Sequence, residues 1–88
     1  MKATVIGAGN MGSAFVKQLT RAGHQVSVTA RNLDKARTLA AAHPGAVAVN
    51  TDNAAAGADV VVLATSFEDA VAALHSAGNL DGKVVIDI

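Results

Sequence analysis

Along the chain, short runs of β-branched and apolar residues alternate with longer stretches in which apolar residues recur every three or four positions. The short runs read as strands and the longer stretches as helices. Ala3–Ile6 is the first strand, stopped by Gly7. Met11–Ala22 reads as a helix, with Met11, Ala14, Phe15, Leu19 and Ala22 on one face, and Gly23 follows at the position where helices close in a left-handed turn. Gln25–Ala30 is the second strand. Asn32 caps a second helix, Leu33–Ala42, with Asp34 in its first turn, and Pro44 and Gly45 end it. Ala46–Val49 is a third strand. Asp52 or Asn53 is placed to cap a single helical turn running to Ala58. Val60–Ala64 is a fourth strand with no polar face, as expected of a strand buried on both sides. Ser66, with Asp69 three residues on, makes an approximate capping box for a helix to about Ala77 that ends at Gly78 and Asn79. Lys83–Ile88 is the fifth strand.

Strands alternating with helices predict a parallel sheet with helices on its faces. Right-handed crossovers then favour a Rossmann-type doubly wound α/β fold of about five strands, in the order 3-2-1-4-5. The order reverses between the first and fourth strands, and that is where open α/β sheets bind ligands, at the carboxyl ends of the strands. The 88 residues amount to one domain.

Composition changes this picture little. Half of the residues are apolar (51%), mostly Ala and Val, and Phe15 and Phe67 are the two aromatics. The formal net charge is zero and no run of like charges occurs, so the basic footprint of a nucleic-acid binder is missing. There is no cysteine, which excludes disulfides, thiolate metal sites and a cysteine nucleophile. No apolar stretch approaches the roughly 18 residues of a membrane span, and the N-terminus lacks the pattern of a signal peptide. On these grounds a cytoplasmic protein without membrane or nucleic-acid partners is expected.

The chemistry lies in Gly7-Ala8-Gly9-Asn10-Met11-Gly12, a G-x-G-x-x-G that leaves a strand and opens a helix. Such a motif is a weak signal alone and a strong one in this βαβ setting. Gly7 allows the tight turn, Gly9 lets the backbone approach a pyrophosphate, and Gly12 lets the helix pack close to the strand. The free N–H groups of the helix N-terminus and its partial positive charge face the phosphates. The end of the second strand supplies the next signal. An NAD site carries Asp or Glu there for the ribose 2′-hydroxyl, whereas this chain reads Thr29-Ala30-Arg31-Asn32. Arg31 is a guanidinium fork suited to a phosphate. Thr29 and Asn32 add hydrogen-bonding groups and Lys35 adds a charge one turn into the helix, so NADP(H) is favoured as the cofactor.

After the fourth strand, Ala64, Thr65, Ser66 and Phe67 fall at the switch point. Two readings stand side by side: Thr65 and Ser66 contact ribose or phosphate and Phe67 packs on a ring, or Ser66 only caps its helix and Phe67 only packs locally. His24, His43 and His75 have no partner at catalytic or ligand spacing. Asp87 ends the fifth strand, where an Asp commonly just begins a loop. No acid–base pair, nucleophile or metal cluster stands out.

The segments Thr4–Phe15, Ala22–Val26, Thr29–Asn32, Val60–Phe67 and Leu80–Asp87 together resemble the N-terminal domain of the coenzyme F420-dependent NADP oxidoreductases. That family is similar in this domain to pyrroline-5-carboxylate reductases. The resemblance covers essentially the whole chain. It implies that Gly7, Gly9, Asn10, Met11 and Gly12 hold the pyrophosphate and that Arg31 holds the 2′-phosphate. Ala30 stands where the family often has Ser, and Thr65 and Ser66 stand where it often has Pro. Family members continue into further strands and a substrate or dimerisation region, so residues 1–88 are expected to be the N-terminal part of a longer enzyme. The implied reaction is hydride transfer between NADPH and a second substrate such as coenzyme F420 or an imine. Two readings from other classes are a non-catalytic dinucleotide-binding module and an excised domain. The apolar fifth strand, at the edge of the sheet, predicts a homodimer or other self-association.

Overall fold

The computed structural model describes residues 1–50, 54, 57–64 and 84–87. They form strand β1 (Lys2–Ile6), helix α1 (Asn10–Arg21), β2 (Gln25–Thr29), helix α2 (Leu33–Ala42), β3 (Ala46–Ala48), β4 (Val60–Leu63) and β5 (Val84–Asp87). The five strands make one parallel sheet in the order β3-β2-β1-β4-β5, as the sequence predicts. The capping-box helix after Ser66 and the turn capped by Asp52 or Asn53 lie outside the described residues.

Alternation along each strand sorts side chains between two faces. Ala3 and Val5 of β1, in register with Val26 and Val28 of β2 and Val60 and Val62 of β4, form the face against which α1 and α2 pack. Its core is Val5, Val16, Val26, Val28, Ala36 and Val62, with Phe15, Leu19, Leu33 and Leu39 closing round it. Each buried Val contributes about 1.5–3 kcal/mol. On the other face Thr4, Ile6, Thr29, Val61 and Leu63 are also buried. There the Thr4 hydroxyl donates to the Ala54 carbonyl at 2.8 Å, fixing the β3–β4 connection beneath the sheet. Asp59 ties three strand starts together. Its carboxylate accepts from the Lys2 N–H at 3.0 Å, its N–H donates to the Lys2 carbonyl at 2.8 Å, and its carbonyl accepts from the Val84 N–H at 3.1 Å.

Helix α1 departs from the expected face. Gly12 and Val16 are buried and Phe15 and Leu19 half-buried, whereas Met11, Ala14 and Ala22 are exposed. The helix is turned by the close approach of Gly12 to the Gly7 backbone, a tertiary contact that alanine spacing does not encode. Its C-terminus closes as a Schellman motif, with the His24 N–H on the Leu19 carbonyl and the Gly23 N–H on the Thr20 carbonyl, both at 3.1 Å. Helix α2 has the expected bounds, and the Asn32 side chain accepts from the Asp34 N–H at 3.0 Å.

Candidate functional site

The site is built where β1 turns into α1. Gly7 has a φ of 115°, a conformation that L side chains rarely adopt. Its N–H donates to the Thr29 carbonyl at 2.8 Å, so the turn is joined to the carboxyl end of β2. Gly12 lies against that turn from the helix side. A methyl group there would drive into the Gly7 carbonyl and would meet the Ala64 Cβ at 3.6 Å. Gly7, Gly12, Thr29 and Ala64 are thus brought together, and Ala64 is itself fixed by its N–H on the Ile6 carbonyl at 2.9 Å.

The rim of the turn faces outward. Gly9, Asn10 and Met11 are exposed, and a Cβ on Gly9 would meet nothing within 4 Å. The first i→i−4 bond of α1 is Ser13 N–H to the Gly9 carbonyl at 2.8 Å, which leaves the amides of Asn10, Met11 and Gly12 ahead of the helical ladder. No acidic residue stands in the first turn of α1, so nothing there opposes an anion at the positive end of the helix dipole. This open, amide-lined cradle fits a pyrophosphate.

At the end of β2, Arg31, Asn32 and Lys35 are exposed beside the same turn. Asn32 uses its side-chain oxygen as the α2 cap, and the Lys35 N–H donates to the Asn32 carbonyl at 3.1 Å. Thr29 is buried on the sheet face it shares with Ile6, and its carbonyl holds the Gly7 N–H. The sequence reading did not single out Asp34 and Arg37, which meet at 3.4 Å on the exposed surface of α2 at the i,i+3 spacing of helix ion pairs. Thr65, Ser66 and Phe67 lie outside the described residues.

A groove of about 420 Å³ opens elsewhere, lined by Lys2, Thr4, Gln25, Ser27, Val47 and Ala58 among others. Lys2 and Gln25 begin their strands, so the groove lies toward the amino ends, opposite the glycine turn. Ligands of open α/β sheets bind at the carboxyl ends, the end at which the glycine turn lies. Among the described residues no cluster of His, Asp or Glu is placed to hold a metal ion, and no helix is long and apolar enough to cross a membrane.

The sheet order and the glycine cradle at its switch point define a dinucleotide-binding domain of the Rossmann class. The chain belongs to the family of coenzyme F420-dependent NADP oxidoreductases, whose model matches residues 2–88. Among solved structures it is similar to a protein of Arthrobacter sp. FB24 assigned as an F420-dependent NADP reductase, at 32% identity and a TM-score of 0.87, over 100% of this chain and 45% of that one. It is similar to the imine reductase BcSIRED of Bacillus cereus BAG3X2, at 36% identity and a TM-score of 0.83, over 99% of this chain and 31% of that one. It also resembles an imine reductase of Myxococcus stipitatus solved with NADP+, at 28% identity and a TM-score of 0.86, over 100% of this chain and 32% of that one. The chain therefore spans less than half the length of these neighbours. Comparison with curated proteins gave no match.

Proposed function

We propose that residues 1–88 are the NADP(H)-binding, N-terminal part of a longer oxidoreductase. One observation carries the reading: the Gly7 N–H bond to the Thr29 carbonyl sets the phosphate cradle of α1 beside Arg31 and Lys35. A single dinucleotide laid across the switch point would meet amides with its pyrophosphate and cations with its 2′-phosphate. The chain's residues bind and orient the cofactor, and the nicotinamide supplies the hydride chemistry when bound. The second substrate, such as coenzyme F420 or an imine, is held by parts of the enzyme beyond this domain. We also assign Thr65, Ser66 and Phe67, which follow β4 in the sequence, to cofactor binding. We assign the protein to the cytoplasm, where this reduced cofactor is available, and infer a homodimer or other self-association.

Calorimetric titration with NADPH and NADH tests the cofactor assignment. NADPH is expected to bind at least about tenfold tighter, a gap of about 1.4 kcal/mol, and Arg31→Ala is expected to remove the gap. Equal binding of the two cofactors would strip Arg31 of its role. A folded chain that binds neither would refute the cofactor assignment altogether.

A further inference from the structure

The chain has two methionines, and both are open to solvent, Met1 at 60% and Met11 at 57% exposure. Met1 is the chain terminus. Met11 stands in the first turn of α1, where the other large apolar side chains of that helix, Phe15, Val16 and Leu19, are turned to the core. A solvent-exposed thioether is open to two-electron oxidants, and this one sits on the rim of the phosphate cradle.

We propose that Met11 is an oxidation site whose sulfoxide competes with the dinucleotide for the amides of the α1 N-terminus. The proposal rests on reading the Gly7–Gly12 turn as the cofactor cradle. A peroxide supplies the oxygen. The Met11 Sδ lone pair attacks one peroxide oxygen, the O–O bond breaks, an S–O bond forms, and the other oxygen leaves as water. Sulfur is oxidised by two electrons and the peroxide is reduced by two. The product differs from the thioether in the property that matters here. Thioether sulfur is a weak hydrogen-bond acceptor, whereas the sulfoxide oxygen carries a strong partial negative charge. Side chains on an α-helix lean toward its N-terminus, so this oxygen is carried toward the end of α1 where the amides of Asn10, Met11 and Gly12 precede the helical ladder. Among the described residues, a Cβ on Gly9 would meet nothing within 4 Å. The oxidised side chain therefore brings an acceptor to donors that otherwise wait for phosphate, and its dipole opposes an incoming anion. Bound dinucleotide would in turn shield Met11 and leave Met1 untouched. Sulfoxide reductases reverse the change, which makes the site a reversible control on cofactor capture.

The test treats the purified chain with hydrogen peroxide, with and without saturating NADP+. Oxidation at the two methionines is followed by peptide mass spectrometry, and NADP+ affinity is measured by calorimetry. Met1 and Met11 are expected to oxidise at similar rates in the free chain, and NADP+ is expected to slow Met11 alone. The chain oxidised at Met11 is expected to bind NADP+ about fivefold more weakly, the range of one competing hydrogen bond, with unchanged circular dichroism and recovery on treatment with methionine sulfoxide reductase. Met11→Leu is expected to show the same affinity before and after peroxide, whatever its starting value. Oxidised chain that binds within about twofold of untreated chain, a range below one hydrogen bond, would overturn the proposal. So would an oxidised chain that melts, or a Leu variant that loses affinity on treatment. Untreated chain that fails to bind NADP+ would overturn the cradle assignment first and this proposal with it.

Discussion

Gly9 and Gly12 share a motif but are glycine for different reasons, and the two can be separated by experiment. At Gly12 a Cβ would collide with the backbone of Gly7, which cannot yield without moving the turn or the helix. Gly12→Ala is expected to cost about 1–3 kcal/mol, a fall in melting temperature of about 4–8 °C per kcal/mol for a domain of this size. At Gly9 the φ of −80° suits any residue and the space is open. Gly9→Ala is therefore expected to keep the melting temperature within about 1 kcal/mol of stability. It should weaken NADPH binding at least about tenfold, because its methyl occupies the line of approach of the pyrophosphate. Thermal melts and calorimetry on both variants check this, and a Gly9→Ala chain with unchanged affinity would contradict the close-approach role. The motif announced both glycines in the sequence. The coordinates add that Gly12 is pinned by the backbone of Gly7, whereas a Cβ on Gly9 would meet nothing within 4 Å.

At the level of elements, what the sequence disclosed depended on whether the signal was local. Helix α2 was legible to the residue because Asn32 caps it within its own turn and Pro44 and Gly45 follow directly. Helix α1 begins at Gly9, which has no side chain to cap with, so its start was read one residue late. Its buried face was misassigned because alanines fit core and surface alike, and the Gly12–Gly7 contact decides the matter. Strand ends shifted for a related reason: β2, β3 and β4 each stop one residue short of the apolar pattern, where the ladder ends. Asn32 carries a prediction that joins element to site. Asn32→Ala is expected to cost about 1 kcal/mol through loss of the cap. Asn32→Asp keeps the cap but sets a carboxylate beside Arg31, as in sites for NAD. It is expected to hold stability and to lower the NADPH-to-NADH preference about three- to tenfold through charge repulsion. A preference unchanged in Asn32→Asp would separate the α2 corner from the 2′-phosphate.

For the molecule as a whole, the sheet finishes differently at its two edges. Parallel strands are ordinarily covered on both faces, and β1 and β4 are. At one edge β3 consists of Ala46, Val47 and Ala48, and only Val47 is a large exposed side chain. At the other, β5 exposes Val84 at 59%, Val85 at 40% and Ile86 at 38%, with successive residues pointing to opposite faces. An apolar strand exposed at the edge of the sheet formed by the described residues is a template for pairing. The glycine cradle lies at the β1–α1 turn, away from this edge, so association and cofactor binding should respond to different substitutions. Light scattering after gel filtration is expected to show the mass rising from one chain toward two as concentration increases. Val85→Lys, which places a charge on the exposed strand, is expected to hold the chain as a monomer while leaving its NADPH affinity within about twofold, as for distant sites without shared partners. A chain that stays monomeric at the highest concentration would remove β5 as an association surface. A Val85→Lys variant that dimerises normally would move the interface elsewhere on the domain.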